Sequence, residues 1–163
     1  PQQRSAAASD VYKRQALRWV NPTGETMKLG VPKEPEGETR VGIVPSSMKK
    51  LARAGFEVYI EAGAGLAANY HDSDYTDAGA HIVSRAEALA CENIVSIRFP
   101  GVDGIGSGTN LACVSDPFRH PEYVKACMDA NITLLSMDMI PRRLSRAQSM
   151  DVNSSQDLSL IHI

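Results

Sequence analysis

SSMKKLARAGFEVYIE (46–61) carries a helix signal and then a strand signal, and the order of the two decides the fold. Met48, Leu51 and Ala52 recur at helical spacing behind Ser46 or Ser47 as N-cap, and Gly55 supplies the stop. EVYIE (57–61) follows as a short apolar run of strand length, and MKLGV (27–31) is a similar run upstream. Strand, helix and strand in succession predict a βαβ unit. Working outward, AHIVS (80–84), NIVSI (93–97), LACVS (111–115) and ITLLS (132–136) are further strand-length runs. DSDYTDAGA (72–80) reads as a helix capped by Asp72 or Asp74 and ending at Gly79. SRAEALACEN (84–93) starts at Ser84 or Arg85, and HPEYVKACMDAN (120–131) has Pro121 at its first helical position and Asn131 at its end. The alternation predicts an α/β fold with a central parallel sheet and helices on both faces, a doubly wound arrangement of flavodoxin-like or Rossmann-like type. ITLLSMDMI (132–140) reads as its last, buried strand.

Composition bounds the function classes. With 43% hydrophobic and 22% charged residues the chain has globular values, neither disordered nor membrane-like. Its 17 basic and 19 acidic side chains leave a net charge of −2 and no dense basic cluster, which argues against a nucleic-acid partner. Cys91, Cys113 and Cys127 lack metal or redox spacing and read as buried free thiols of a reducing compartment. No apolar run reaches the length of a membrane span. The two ends read as foreign. One coding of DVYKRQ (10–15) gives LSLIHI (158–163) on the opposite strand, as sequencing-library adapter ends would. Residues 1–26 are therefore expected to be a non-native or leader segment with Met27 as a plausible start, and the native part is expected to be a fragment.

Several motifs invite a chemical reading. Gly63-Ala64-Gly65-Leu66-Ala67-Ala68 has the form GxGxxA, but it runs into the polar NYHDSDY (69–75) instead of a long helix. A tight turn is expected there, not a dinucleotide cradle. GVDGIGSGTN (101–110) lacks the Lys-Ser/Thr of a phosphate loop and reads as a flexible connection. His71, His81 and His120 share no metal-ligand spacing, so no metal site is expected. RRLSRAQSMDVNSSQ (142–156) differs in kind. Arg143, Gln148, Asp151 and Ser154 put a fixed cation, a two-way amide, an anion and a hydroxyl within twelve residues. From the residues alone, this is either the solvated first turn of a helix or a loop built around a ligand.

VPKEPEGETRVGIVPSSMKKLARAGFEVYIEAGAG (31–65) resembles the opening of the alanine dehydrogenase and nicotinamide nucleotide transhydrogenase family. IPRRLSRAQSMDVNSSQ (140–156) is similar to the loop after the first subdomain in the proton-translocating transhydrogenases of that family. The resemblance divides the chain into an N-terminal domain at 27–141, a truncated nicotinamide-facing loop at 142–156 and an adapter-like tail at 158–163. It implies that Arg143, Gln148, Asp151 and Ser154 contact NAD(H), with Gln148 and Asp151 as the residues of the transfer step. Gln148 steers the nicotinamide, while Asp151 and the arginine hold the loop. PRRLS carries one residue more than the family pattern, so Arg142 and Arg143 compete for the arginine role, and Asn153 stands at a new position.

The same resemblance implies hydride transfer between NADH and NADP+ coupled to proton translocation, with NADP(H) held on a partner domain. The implied assembly is a homodimer of alpha subunits with a beta subunit and a membrane domain, on the cytoplasmic face of the inner membrane. The main rival is an alanine dehydrogenase-like substrate domain. Arg40 in GETRVG (37–42) matches the arginine that binds pyruvate there, but the transhydrogenases keep an arginine at that place too, so it does not discriminate. IVSIRFP (94–100) departs from the KVKEP-like strand end of that branch, and LACVSDPF (111–118) lacks its histidine. A non-catalytic dimerisation or docking domain is the third reading. The truncated piece alone is expected to bind NADH weakly.

Overall fold

The computed structural model describes residues 26–140. In chain order it has β1 (Met27–Val31), α1 (Met48–Arg53), β2 (Phe56–Glu61), α2 (Asp72–Asp77), β3 (His81–Val83) and α3 (Arg85–Leu89), followed by β4 (Asn93–Arg98), β5 (Asn110–Val114), α4 (Pro121–Asp129) and β6 (Thr133–Ser136). The six strands form one sheet in the order β3-β2-β1-β4-β5-β6. Every neighbouring pair is parallel. Of the two doubly wound arrangements expected, this order is the Rossmann one, with its reversal between β1 and β4.

Each face of the sheet has its own core. Leu29 and Val31 of β1 and Val58 and Ile60 of β2 pack with Met48 of α1 and Tyr75 of α2. On the other face Ile94, Leu111 and Cys113 pack with Leu89 of α3 and Cys127 of α4. Removing each such side chain from water contributes roughly 1.5–3 kcal/mol, which offsets the entropy of ordering the crossovers. Tyr75 is fully buried, and its hydroxyl donates to Ile43 O at 3.0 Å, so its polar tip is satisfied. Burial pushes that phenol up to about 12. Gly30 lets α3 approach β1 closely, since a Cβ there would run into the carbonyl of Ala88.

Helix ends follow the sequence signals with one exception. Ser84 caps α3 in a reciprocal box with Glu87, and Pro121 opens α4. Gly55 and Gly79 take positive φ of 85° and 94° after α1 and α2. The cap of α2, however, is His71 and neither Asp72 nor Asp74. Asp74 is the third helical residue, and its carboxylate accepts the His71 N–H at 2.8 Å. Three loop and strand expectations also meet the structure. Residues 63–68 do form a turn without a long helix, ending at left-handed Asn69. The connection 101–109 is pinned, because Val102 and Ile105 pack against the second core. ITLLSMDMI is not one buried strand: β6 stops at Ser136, a 3-10 turn covers Met137–Met139, and Leu135 is 43% exposed. Residues 10–15 and 158–163 lie outside the described residues.

Candidate functional site at the sheet reversal

Open parallel sheets bind ligands beyond the carboxyl ends of their strands, where the strand order reverses. Here that place lies between the ends of β1 and β4. A strand that ends leaves main-chain N–H groups without ladder partners, and these need acceptors. Glu34, three residues past β1, supplies them. Its carboxylate accepts from Ile97 N at 2.6 Å and Arg98 N at 2.9 Å, and Ser96 Oγ lies 3.2 Å from it. The ladder between β4 and β5 shifts register between Val95 and Arg98, so Glu34 bonds the N–H groups of this irregular stretch.

Glu38, further along the same loop, gathers two cations. Arg40 grips it through Nε and Nη2, both at 2.8 Å, and Arg98 adds Nε at 3.1 Å. The glutamate side chain is only 8% exposed, while Arg40 and Arg98 are 41% and 59% exposed. Hydrogen bonding from Arg40, reinforced by its charge and by Arg98, lowers the Glu38 pKa to about 2 against the opposing effect of burial. Arg98 is thus held at its main chain by Glu34 and at its side chain by Glu38. Arg98 also lines the cleft that opens beside it. Glu61 at the end of β2 acts similarly, accepting from Lys33 N at 2.7 Å and pairing with Arg85 at 3.0 Å.

Beyond Arg98 opens a cleft of about 600 Å³ over the ends of β4, β5 and β6. That volume lies within the range of ordinary small-molecule sites. Phe99, Tyr123 and His120 form an aromatic wall, stacked at centroid distances of 4.3 and 4.8 Å. Asp138, which also lines the cleft, accepts from Ser136 Oγ at 2.6 Å, Asp116 N at 3.0 Å and Ser115 N at 3.3 Å. Burial acts to raise its pKa, but these bonds together outweigh it, and Asp138 titrates below the usual range. The crevice therefore offers a fixed cation, a fixed anion and a flat apolar wall. Among the described residues no group of His, Cys, Asp and Glu is placed to hold a metal.

Residues 30–157 match the family described as alanine dehydrogenase/PNT, N-terminal domain. The chain belongs to that family. It is 37% identical over 135 residues to NAD(P) transhydrogenase subunit alpha of Cereibacter sphaeroides, covering 79% of this chain and 26% of the relative. The solved structure of transhydrogenase from Sinorhizobium meliloti superposes with a TM-score of 0.75 at 38% identity, over 79% of this chain and 40% of that one. A solved L-alanine dehydrogenase gives a TM-score of 0.68 at 32% identity, over 74% and 34%. The chain therefore spans well under half the length of these relatives.

Arg143, Gln148, Asp151 and Ser154 lie outside the described residues, as does Arg142. The structure describes the point they lead from: Asp138 and Met139 line the cleft, and the loop begins at Arg142, three residues after Met139. Arg40 and Arg98, separated by 58 positions, are brought onto one carboxylate. Sequence reasoning passed over Glu34, Glu38 and Asp138. The close Glu-Thr-Arg spacing at 38–40 was a local hint for one of them. Nothing local marks Glu34, whose partners stand on β4, and Asp138 has only Ser136 nearby, its main-chain donors Ser115 and Asp116 lying just past β5.

Proposed function

We propose that this chain is part of the NAD(H)-binding alpha subunit of a proton-translocating NAD(P) transhydrogenase, and that the cleft over β4–β6 receives the nicotinamide end of the dinucleotide. The observation that carries this is where β6 ends. Its 3-10 turn places Asp138 and Met139 in the cleft wall just before the polar loop. The contacts to the nicotinamide end are assigned in this proposal to Arg143 (or Arg142), Gln148, Asp151 and Ser154 of that loop. NAD(H), when bound, supplies the hydride. The chain's own residues position it: Gln148 through its amide, Ser154 through its hydroxyl, Asp151 and the arginine by pairing to hold the loop.

The described part fits only one end of that cofactor. A pyrophosphate is ordinarily held by a glycine turn opening a long helix. The turn at Gly63–Gly65 leads only to the three-residue 3-10 segment Leu66–Ala68, and Gly63 N is already bonded to Asp72 at 2.9 Å. The pyrophosphate and adenosine contacts belong to other parts of the complete protein, with NADP(H), a beta subunit, a membrane domain and a second alpha subunit as further partners. No helix among the described residues is long and apolar enough to cross a membrane. Association with the cytoplasmic face of the membrane would come through other segments. The dehydrogenase reading is disfavoured by Arg40, because two nitrogens of its guanidinium already grip Glu38. A substrate carboxylate would have to displace that pair.

Gln148→Asn in the complete protein tests the proposal. Shortening the side chain withdraws an orienting bond while distant dinucleotide contacts stay. A displacement near 1 Å at reacting atoms costs on the order of a hundredfold in rate. Single-turnover hydride transfer should fall far more than NADH affinity. Unchanged transfer, or equal losses in both, refutes the orienting role.

A further inference from the structure

Phe118 is 83% exposed, more than any other large apolar side chain among the described residues. An apolar ring left in water forgoes the stabilisation that burial would give it. Its exposure here is not that of a loose loop, because the turn of residues 115–120 is tied at its base. Asp116 O accepts from Arg119 N at 3.0 Å and from His120 N at 2.9 Å. Asp138 accepts from Asp116 N at 3.0 Å, and Arg119 Nε lies 3.5 Å from the Asp116 carboxylate. Asp116 takes a φ of 42°, in the left-handed region where a residue with a Cβ is strained. Pro117 fixes its own φ, and Pro121 opens α4 directly behind the turn. The backbone is thereby committed, with Phe118 at its tip.

Phe118 lines the same cleft as Phe99, His120 and Tyr123. Those three rings form a column in which Tyr123 stacks on Phe99 at 4.3 Å and on His120 at 4.8 Å, each with an interplanar angle of 15°. Among the described residues Phe118 stacks on no ring. The cleft thus holds one aromatic element that is complete and one that lacks a partner. Small-molecule sites are lined in this way, with apolar rings giving area and a few polar groups giving orientation.

We propose that Phe118 orients the bound ligand by stacking on one face of its nicotinamide ring. This rests on the reading of the cleft given above and adds to it a contact outside the loop at 142–156. The two kinds of contact do different work. A hydrogen bond from the Gln148 amide sets how the nicotinamide is turned within its own plane, and leaves the tilt of that plane free. A stacked ring sets the tilt. It also keeps water from the face it covers, while the opposite face stays open to the second nicotinamide.

Calorimetry on the complete protein, comparing NADH with ADP-ribose, tests the proposal. ADP-ribose lacks the nicotinamide, so the ratio of the two dissociation constants isolates what the ring contributes. Aromatic pairs contribute roughly two- to tenfold in affinity beyond the area they cover. Phe118→Ala should therefore reduce the preference for NADH by about fivefold or more, with ADP-ribose affinity unchanged. Phe118→Tyr keeps the ring and should retain the parent's preference, whereas Phe118→Leu should retain only part of it. The melting temperature of Phe118→Ala should stay close to the parent's, because the side chain is exposed. An unchanged preference in Phe118→Ala overturns the proposal, and so does an equal loss for both ligands. Full retention by Phe118→Leu overturns it too, since apolar area alone would then suffice. Weaker capture of the NADP(H)-holding partner, with the NADH preference intact, makes Phe118 a protein contact and overturns it as well. The two readings fail separately. If Gln148→Asn slows transfer while Phe118→Ala keeps the preference, this proposal alone is lost. If neither change has an effect, the nicotinamide reading of the cleft is lost with it.

Discussion

Replacing Glu34 tests whether the crevice is held open by the carboxylate that spans it. Glu34 is 9% exposed and accepts two main-chain N–H groups, from Ile97 and Arg98, at the irregular end of β4. Glu34→Ala leaves both donors without an acceptor. Each buried donor so stranded costs about 1–3 kcal/mol. Water reaching the edge recovers part of this, so the expected loss is about 3 kcal/mol, a large fraction of the roughly 5–15 kcal/mol that stabilises an ordinary domain. For a domain of this size that lowers the melting temperature by on the order of 10 °C or more. Glu34→Gln is the finer probe. Its amide oxygen serves one N–H, but its NH₂ confronts the other, and the expected loss is about 1–2 kcal/mol. Urea unfolding of the three proteins gives the ranking. Hydrogen exchange gives the location, because the amides of Ile97 and Arg98 should exchange faster in Glu34→Ala than in the parent. A loss below about 1 kcal/mol, or unchanged exchange at those two amides, refutes the bridging role.

Glu38 predicts an acid-sensitive step. Its carboxyl titrates near 2 in the folded chain against 4.5 ordinarily, so its stabilisation is complete above about pH 4.5 and is lost as pH falls towards 2. Melting temperatures measured across that window should fall more steeply for the parent than for Glu38→Gln; parallel curves refute the assignment. Gly30→Ala should be among the most damaging single-methyl additions, because the new Cβ meets the Ala88 carbonyl and α3 must back away. A melting temperature within a degree or two of the parent's would show that α3 yields easily. Calorimetry on this chain alone should detect no NADH binding tighter than about 1 µM, since roughly −8 kcal/mol needs more contacts than one loop offers.

What could be read from the residues depended on how far away the partners were. Helix and strand identity came from local periodicity, and Ser84 with Glu87 three positions on announced its own capping box. His71 escaped as a cap because Asp72 and Asp74 beside it are stronger cap formers. The family resemblance rested on contiguous stretches, and the match over 30–157 bears it out. Leu134 and Leu135 show the limit. They are neighbours in one apolar run, yet Leu134 packs against the second core and Leu135 stands exposed. Only the sheet and what covers it distinguish them. Glu34 shows the same limit at the site, since its partners lie 63 and 64 positions away.

On the function proposed above, the fixed charges at the edge of the domain position a cofactor without reacting with it. Glu34 and Asp138 are occupied in accepting main-chain N–H groups, and Glu38 in holding two arginines. Held below the usual carboxylate range, Glu38 and Asp138 stay ionised at neutral pH and are poor candidates for proton transfer. The three buried thiols are pushed upward by desolvation, Cys113 to about 12, and are equally unsuited to nucleophilic attack. What the edge retains is geometry: an arginine held by Glu34 at its main chain and by Glu38 at its Nε, an aromatic wall, and Asp138 and Met139 lining the cleft. The direct hydride transfer proposed above would ask the protein for placement and for exclusion of water, and for no acid or base.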